Sequence, residues 1–198
     1  MKIPCEVFNR LSHIIDGWHD ALDPVYRTVR LDNGMVIATD RKLMVVEHVP
    51  QVTGVAHITL PDSLIAACVE EAKYGGSVEI AANPMLGYTI AKTTFGHITE
   101  NIHYAGDHGE FARWRDVIAD ARKPLDASAG VMVWNADDIA RLGAASPSGC
   151  IEFSRYIDAT ARCTVVRDTT TSEWVGFFMP RVKDGLHHTG ATVPGWCQ

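Results

Sequence analysis

A chain of 198 residues and 21.7 kDa, 46% apolar and 21% charged, is long enough to bury a real core and has none of the composition of a disordered protein. Its net charge of −6 repels nucleic acid as a whole and leaves only local basic patches for phosphate contact. The sequence shows neither an apolar run of about eighteen residues nor a basic-then-apolar amino terminus, so no membrane span or signal peptide is supported and a cytoplasmic location is expected.

The predicted elements repeat one plan three times: a short apolar strand, a helix, a hairpin and a closing strand. Unit one opens with Ile3-Pro4-Cys5-Glu6-Val7-Phe8 and a helix over 4–22. Strands follow over 29–36, folded at Asp32-Asn33-Gly34, and then over 43–49. Asn-Gly tolerates the positive φ of a tight hairpin. Unit two opens with Leu60-Pro61-Asp62-Ser63 and a helix over 61–73. It continues with strands over 78–90, folded at Asn83-Pro84, and over 94–104. Unit three opens with Trp134-Asn135-Ala136-Asp137-Asp138 and a helix over 135–142, then strands over 151–166, turning at Asp158-Ala159, and over 174–182.

Between units two and three, residues 119–130 carry Asp, Arg, Lys, Pro, Ser and Gly with no apolar period and read as a linker. The expected division is therefore 1–118 as a full domain of two units, 119–128 as linker, 129–183 as a half domain, and 184–198 as a tail without period. A half domain leaves a sheet edge and a helix face uncovered, so association with other copies is expected.

The five cysteines, odd in number and never spaced C-x-x-C, argue against a disulfide scaffold or zinc knuckle; Cys5 and Cys68 read as small apolar packing groups. The five tryptophans also read as packing residues, with Trp114 and Trp134 flanking the linker. His97, His103, Asp107 and His108 form the one stretch dense in metal-type ligands, but the pair His97 and His103 is too widely spaced for a structural metal site. A metal-dependent hydrolase built on that cluster is the weakest of three readings. No nucleophile elbow, phosphate loop, dinucleotide fingerprint or H-E-x-x-H motif occurs, so no enzyme and no cofactor are expected.

Three segments resemble one family in order. Gly34-Met35-Val36-Ile37-Ala38-Thr39-Asp40-Arg41-Lys42-Leu43 is similar to the Ala-Thr-Asp-Gly-His-Arg-Leu strand-turn of the bacterial DNA polymerase III beta sliding clamps. Gly109-Glu110-Phe111-Ala112-Arg113-Trp114-Arg115-Asp116-Val117-Ile118 resembles the segment that closes their middle domain, and Phe178-Met179-Pro180-Arg181-Val182 resembles their carboxyl-terminal Met-Pro-Met-Arg-Leu. The resemblance implies an α+β sliding-clamp fold of βαβββ units, with helices on one face of antiparallel sheets. It also implies a role as processivity factor or interaction platform in DNA replication, and an origin in a phage or mobile element is expected.

By the resemblance, the candidate DNA contacts are Arg10, Arg41, Lys42, Lys73 and Arg141. The candidate groove for a polymerase-type peptide is Thr39 and Leu43 on the turn side with Met179, Pro180 and Arg181 on the carboxyl-terminal side. The turn lacks the family's Gly-His pair, the second Met after Pro180 is missing, and the tail runs past the point where clamps end. The family's rings hold twelve units, which four chains of three would supply; a dimer or a ring-forming tetramer is expected, the dimer ahead of the ring. The three predicted helices are not net basic: Arg10 stands against Glu6, Asp16 and Asp20, Lys73 against Asp62, Glu70 and Glu71, and Arg141 against Asp137 and Asp138. A structural or regulatory protein that uses the fold without binding DNA is therefore the alternative.

Overall fold

The computed structural model describes residues 1–15, 28–40, 42–53, 58–60, 62–83, 88–94, 101–105, 111, 113–121, 135–153, 155–158, 163–178 and 188–190. In chain order these form β1 (Lys2–Pro4), α1 (Cys5–Ile15), β2 (Val29–Asp32), β3 (Met35–Thr39), β4 (Leu43–His48), β5 (Ile58–Leu60), α2 (Asp62–Ala72), β6 (Ser77–Asn83), β7 (Tyr88–Thr94), β8 (Asn101–Ala105), α3 (Trp114–Ala121), α4 (Ala136–Ala145), β9 (Ile151–Phe153), β10 (Arg155–Asp158), β11 (Thr164–Asp168), β12 (Trp174–Phe178) and β13 (His188–Gly190).

Units one and two are built by exchange. The first strand of unit one, β1, pairs with β6 of unit two, and the first strand of unit two, β5, pairs with β2 of unit one, both antiparallel. The amino terminus anchors the first exchange, donating to the carbonyl of Ile80 at 2.7 Å. A four-stranded sheet results in the order β1-β6-β7-β8, and a second sheet begins β5-β2-β3-β4. The hairpin of β2 and β3 turns on Asn33 (φ 44°) and Gly34 (φ 87°), the two successive positive angles that a tight two-residue loop requires.

That second sheet does not stop at β4. Its last strand pairs antiparallel with β12 of unit three, Leu43 opposite Phe178 and Glu47 opposite Trp174, and continues through β11 to β9, giving seven strands. The central strands β3, β4 and β12 are buried on both faces, so they carry apolar runs (Met35–Ala38, Leu43–Val46 and Trp174–Phe178) rather than a strict alternation with polar residues. Leu43, Val45, Trp174 and Phe178 face the helices α1, α2 and α4 in the main core, together with Phe8, Leu11 and Ile14 of α1 at helical spacing. Met44, Val46, Val175 and Phe177 face the other way, onto Trp114 and Ile118 of α3.

Helix α3 was not among the predicted elements. The residues 109–118 read from sequence only as a segment that closes a domain, and 114–121 are helical, because Trp114 and Ile118, four apart, bury one stripe on the otherwise bare sheet face. The helix runs three residues beyond 118, and 122–130 lie outside the described residues. Helix α1 begins at Cys5, one residue after Pro4. Helix α4 begins after Asn135, whose side chain accepts from the Asp137 amide at 2.9 Å. Inside the segment read as a tail, β13 pairs with β10 in a separate two-stranded sheet.

Candidate functional site at the junction of two units

The turn from β3 to β4 closes on itself. Thr39 donates its hydroxyl to the Leu43 carbonyl at 2.8 Å, and the Asp40 amide donates to the same carbonyl at 3.1 Å. Asp40 Oδ1 accepts from the amides of Lys42 (2.8 Å) and Leu43 (2.7 Å), the self-bonding that makes Asp a turn former. Asp40 is fully buried. Its second oxygen, Oδ2, lies 2.6 Å from Nη2 of Arg141, a charge contact whose angles fall outside hydrogen-bond geometry.

Arg141 belongs to α4 of unit three, and it reaches across to unit one. Its Nε donates to the His13 carbonyl at 2.9 Å and its Nη2 to the Ile14 carbonyl, satisfying the last turn of α1 while its charge complements that helix's negative end. One guanidinium therefore ties together the end of α1, the turn at 39–43 and α4. Nη1 also lies 3.5 Å from Asp138 on the same helix.

Beside this turn runs the end of β12. Leu43 pairs with Phe178, and Met179, Pro180 and Arg181 follow Phe178 directly in sequence. The turn half of the expected groove is thus set next to the strand that leads into its other half. Thr39 and Leu43 themselves are buried, Leu43 in the main core, while Lys42 is half-buried. Arg41, Met179, Pro180 and Arg181 lie outside the described residues.

The remaining expected cations are engaged within the chain. Arg10 on α1 is bound to the buried Glu47 of β4 through two nitrogens, Nη2 and Nε (3.3 Å from Glu47 Oε2), and its Nη1 sits 3.2 Å from Glu6. Burial pushes the Glu47 carboxyl up from its usual range, and the Arg10 guanidinium opposes that shift. Lys73, exposed after α2, pairs with Glu70 at 2.7 Å, which raises its pKa. Arg10, Lys73 and Arg141 thus each hold a carboxylate.

Sequence reasoning overlooked Asp40 and its counterpart Asp168. Asp168 sits at the same place in unit three, at the end of β11 before the turn into β12. Its Oδ1 accepts from the amides of Thr170 (2.7 Å) and Thr171 (3.0 Å) and from the Thr170 hydroxyl at 2.7 Å. Its Oδ2 accepts from the hydroxyls of Ser146 and Ser148 and from the Ser148 amide at 2.8 Å. Burial alone would raise the Asp168 pKa, but the hydroxyl and amide donors overcome it and hold the carboxyl well below its ordinary value. The available signal was positional: each Asp ends the strand that precedes its unit's closing strand.

Of the metal-type cluster, His97, Asp107 and His108 lie outside the described residues, and His103 is in β8. Among the described residues no group of three His, Cys, Asp or Glu is placed to hold a metal. Cys5 and Cys68 are buried between α1 and α2. Their mutual hydrogen bond, with burial, pushes the Cys68 thiol up. No helix among the described residues is long and apolar enough to cross a membrane.

No protein-family model matches the chain, and no curated protein does. Solved structures do match. The DNA polymerase III subunit beta of Borrelia burgdorferi, solved in complex with a natural product, superposes with a TM-score of 0.57 at 10% identity over 92% of this chain and 64% of its own. The DNA polymerase sliding clamp of Pseudomonas aeruginosa, solved with a ligand, gives 0.57 at 12% identity over 92% of this chain and 66% of its own. The fold is that of the sliding clamps, and this chain spans 64% to 66% of the length of those relatives.

Proposed function

We propose that the chain is a sliding-clamp-like, non-enzymatic protein of DNA replication, a processivity factor or interaction platform that holds a polymerase-type peptide at the junction of units one and three. The observation that carries this reading is the pairing of β4 with β12, which sets the turn at 39–43 beside the strand leading into Met179, Pro180 and Arg181. Met suits a groove that accepts varied side chains, since its unbranched thioether adapts its shape. In this reading Thr39 and Leu43 form the groove floor through their fixed backbone, and Arg141 holds that floor against α1.

The chain works as an assembly of copies, a dimer or a ring-forming tetramer, with double-stranded DNA as the partner inside a ring. Arg41 and Lys42 are the strongest candidates for phosphate contact, and Lys73 is secondary because Glu70 shares its charge. The contribution of Arg10 and Arg141 to DNA is structural: both guanidinium groups are bound to carboxylates within the chain. That engagement favours the second reading, a structural or regulatory binding protein that uses the fold without DNA.

Fluorescence polarisation with a labelled clamp-binding peptide tests the leading reading. Saturable binding with a Kd of about 1–100 µM supports it, and a flat titration at high micromolar protein refutes it. For DNA, Arg41→Glu with Lys42→Glu lowers retention on circular duplex and flattens its salt dependence; unchanged retention removes those two residues from the contact.

A further inference from the structure

Two cysteines that the proposed function leaves unused meet across the domain of units one and two. Cys5 is the first residue of α1 and follows β1 directly, and Cys68 lies on α2 one turn before its end at Ala72. The backbone holds these two places together. The Cys5 amide donates to the Gly76 carbonyl at 2.9 Å, the Gly76 amide donates to the Glu71 carbonyl at 3.0 Å, and Pro4 pairs with Ser77. The start of α1 is thereby pinned to the turn that leaves α2, and both thiols are fully buried in the main core. The other described cysteines stand apart. Cys163 is buried on the opposite face of the seven-stranded sheet, beside the Val117 carbonyl, and Cys150 is exposed in the loop after α4.

We propose that Cys5 and Cys68 are an oxidisable pair, the site at which a hydroperoxide closes a disulfide that staples α1 to α2. The Cys5 sulfur attacks the peroxide, the O–O bond breaks, and Cys5 becomes a sulfenic acid while an alcohol or water leaves. The Cys68 sulfur then displaces the sulfenic hydroxyl as water, and the S–S bond forms. In sum, two thiols give up two electrons and two protons, and one hydroperoxide takes them up to leave one alcohol and one water. With hydrogen peroxide both products are water.

The contact between the two thiols sets their roles. Cys68 donates a hydrogen bond to the Cys5 sulfur, which lowers the Cys5 pKa against burial and the nearby Glu71 carboxylate, and the same bond raises that of Cys68. Cys5 is therefore the attacking sulfur and Cys68 the resolving one. Access comes from β1, a three-residue strand at the edge of the four-stranded sheet, whose release from β6 bares Cys5 while α2 stays packed. An opening of that size admits a small peroxide ahead of a bulky reagent. The disulfide would hold β1 in its exchanged position, since Cys5 follows that strand directly. The inference stands on helix packing and is independent of whether the chain holds peptide or DNA.

Hydrogen peroxide on the unaltered 198-residue chain, followed by mass spectrometry of the whole protein and of its unreduced digest, tests the pair. The expected product is about 2 Da lighter, with the peptide that contains Cys5 joined to the peptide that contains Cys68. Its melting temperature is expected to rise by about 5–10 °C and to return to the starting value in dithiothreitol. Cys68→Ala, with circular dichroism as the folding control, removes the resolving sulfur. In that variant Cys5 is expected to gain about 16 or 32 Da of oxygen instead, with no rise in melting temperature. Oxidation of the unaltered chain that leaves Cys5 and Cys68 as thiols overturns the proposal. So does a disulfide that joins either of them to a different cysteine, or oxygen added to both without a link between them.

Discussion

Asp40 and Asp168 make the same turn in two different units and commit their second oxygen differently. Each uses Oδ1 to bind the amides two and three residues ahead, fixing the passage into the closing strand. Asp168 then takes neutral donors, Ser146 and Ser148, from the loop after α4 of its own unit. Asp40 takes a charge, Arg141, from the helix of another unit. A neutral cradle stabilises one turn locally, whereas a buried ion pair makes the other turn depend on how two units sit together. The turn that borders the proposed groove is therefore the one whose stability is tied to assembly of the chain.

The largest effect should come from breaking that tie. Arg141→Met keeps the apolar stem but leaves the Asp40 carboxylate buried without its charge partner and two α1 carbonyls without donors, and should destabilise by about 3–5 kcal/mol in chemical denaturation. Asp40→Asn with Arg141→Met should recover part of that loss, because the uncompensated charge is gone. A double variant no more stable than Arg141→Met would separate the turn from the junction.

Asp168→Asn comes next. It removes the acceptor charge while keeping the shape, and losing charge-assisted bonds from several donors should cost about 2–3 kcal/mol. The pH dependence has a definite sign. The folded pKa of Asp168 is depressed, so its contribution is full above the unfolded value of about 3.9 and is lost as pH falls through the folded value. Glu47 acts oppositely: its raised folded pKa gives a contribution present below about 4.3 and lost as pH rises through the folded value. Thermal melts from pH 5 down should therefore fall less steeply for Asp168→Asn than for the unaltered chain, and parallel curves would contradict the assignment.

Gly176→Ala probes the same junction by packing. A Cβ there would come to 2.9 Å from Trp174 Cη2 and 3.0 Å from Leu142 Cδ2, both held in the core, and should cost about 1–3 kcal/mol. Smallest is Glu173→Gln. Its partner His48 is half-buried and Glu173 itself is exposed, so loss of this bridge between β4 and the turn before β12 should stay below about 1 kcal/mol in urea unfolding. A larger effect would mean that the surface side of the junction matters as much as the buried side.

Much of this was legible in the residues. The Asn33-Gly34 turn and the helix starts at Ile3-Pro4-Cys5 and Asn135 announced themselves locally, because each is decided by neighbours within a turn or two. Helix α3 did not: Trp114 and Ile118 form a short stripe whose cause is a bare sheet face made by strands of two units. The exchange of β1 and β5 and the pairing of β4 with β12 were equally hidden, since antiparallel partners far apart leave no spacing in the sequence. The expected cations show the same limit. Arg10 and Arg141 read as available charges until the fold brought Glu47 and Asp40 to them.

Backbone amide NMR of the chain during titration with an unlabelled clamp-binding peptide measures the central claim most directly. Shifts that cluster at Thr39, Lys42, Leu43 and Phe178, and that weaken in Arg141→Met, are predicted. Saturable shifts confined to strands away from the β4–β12 junction, or none at all, would contradict it.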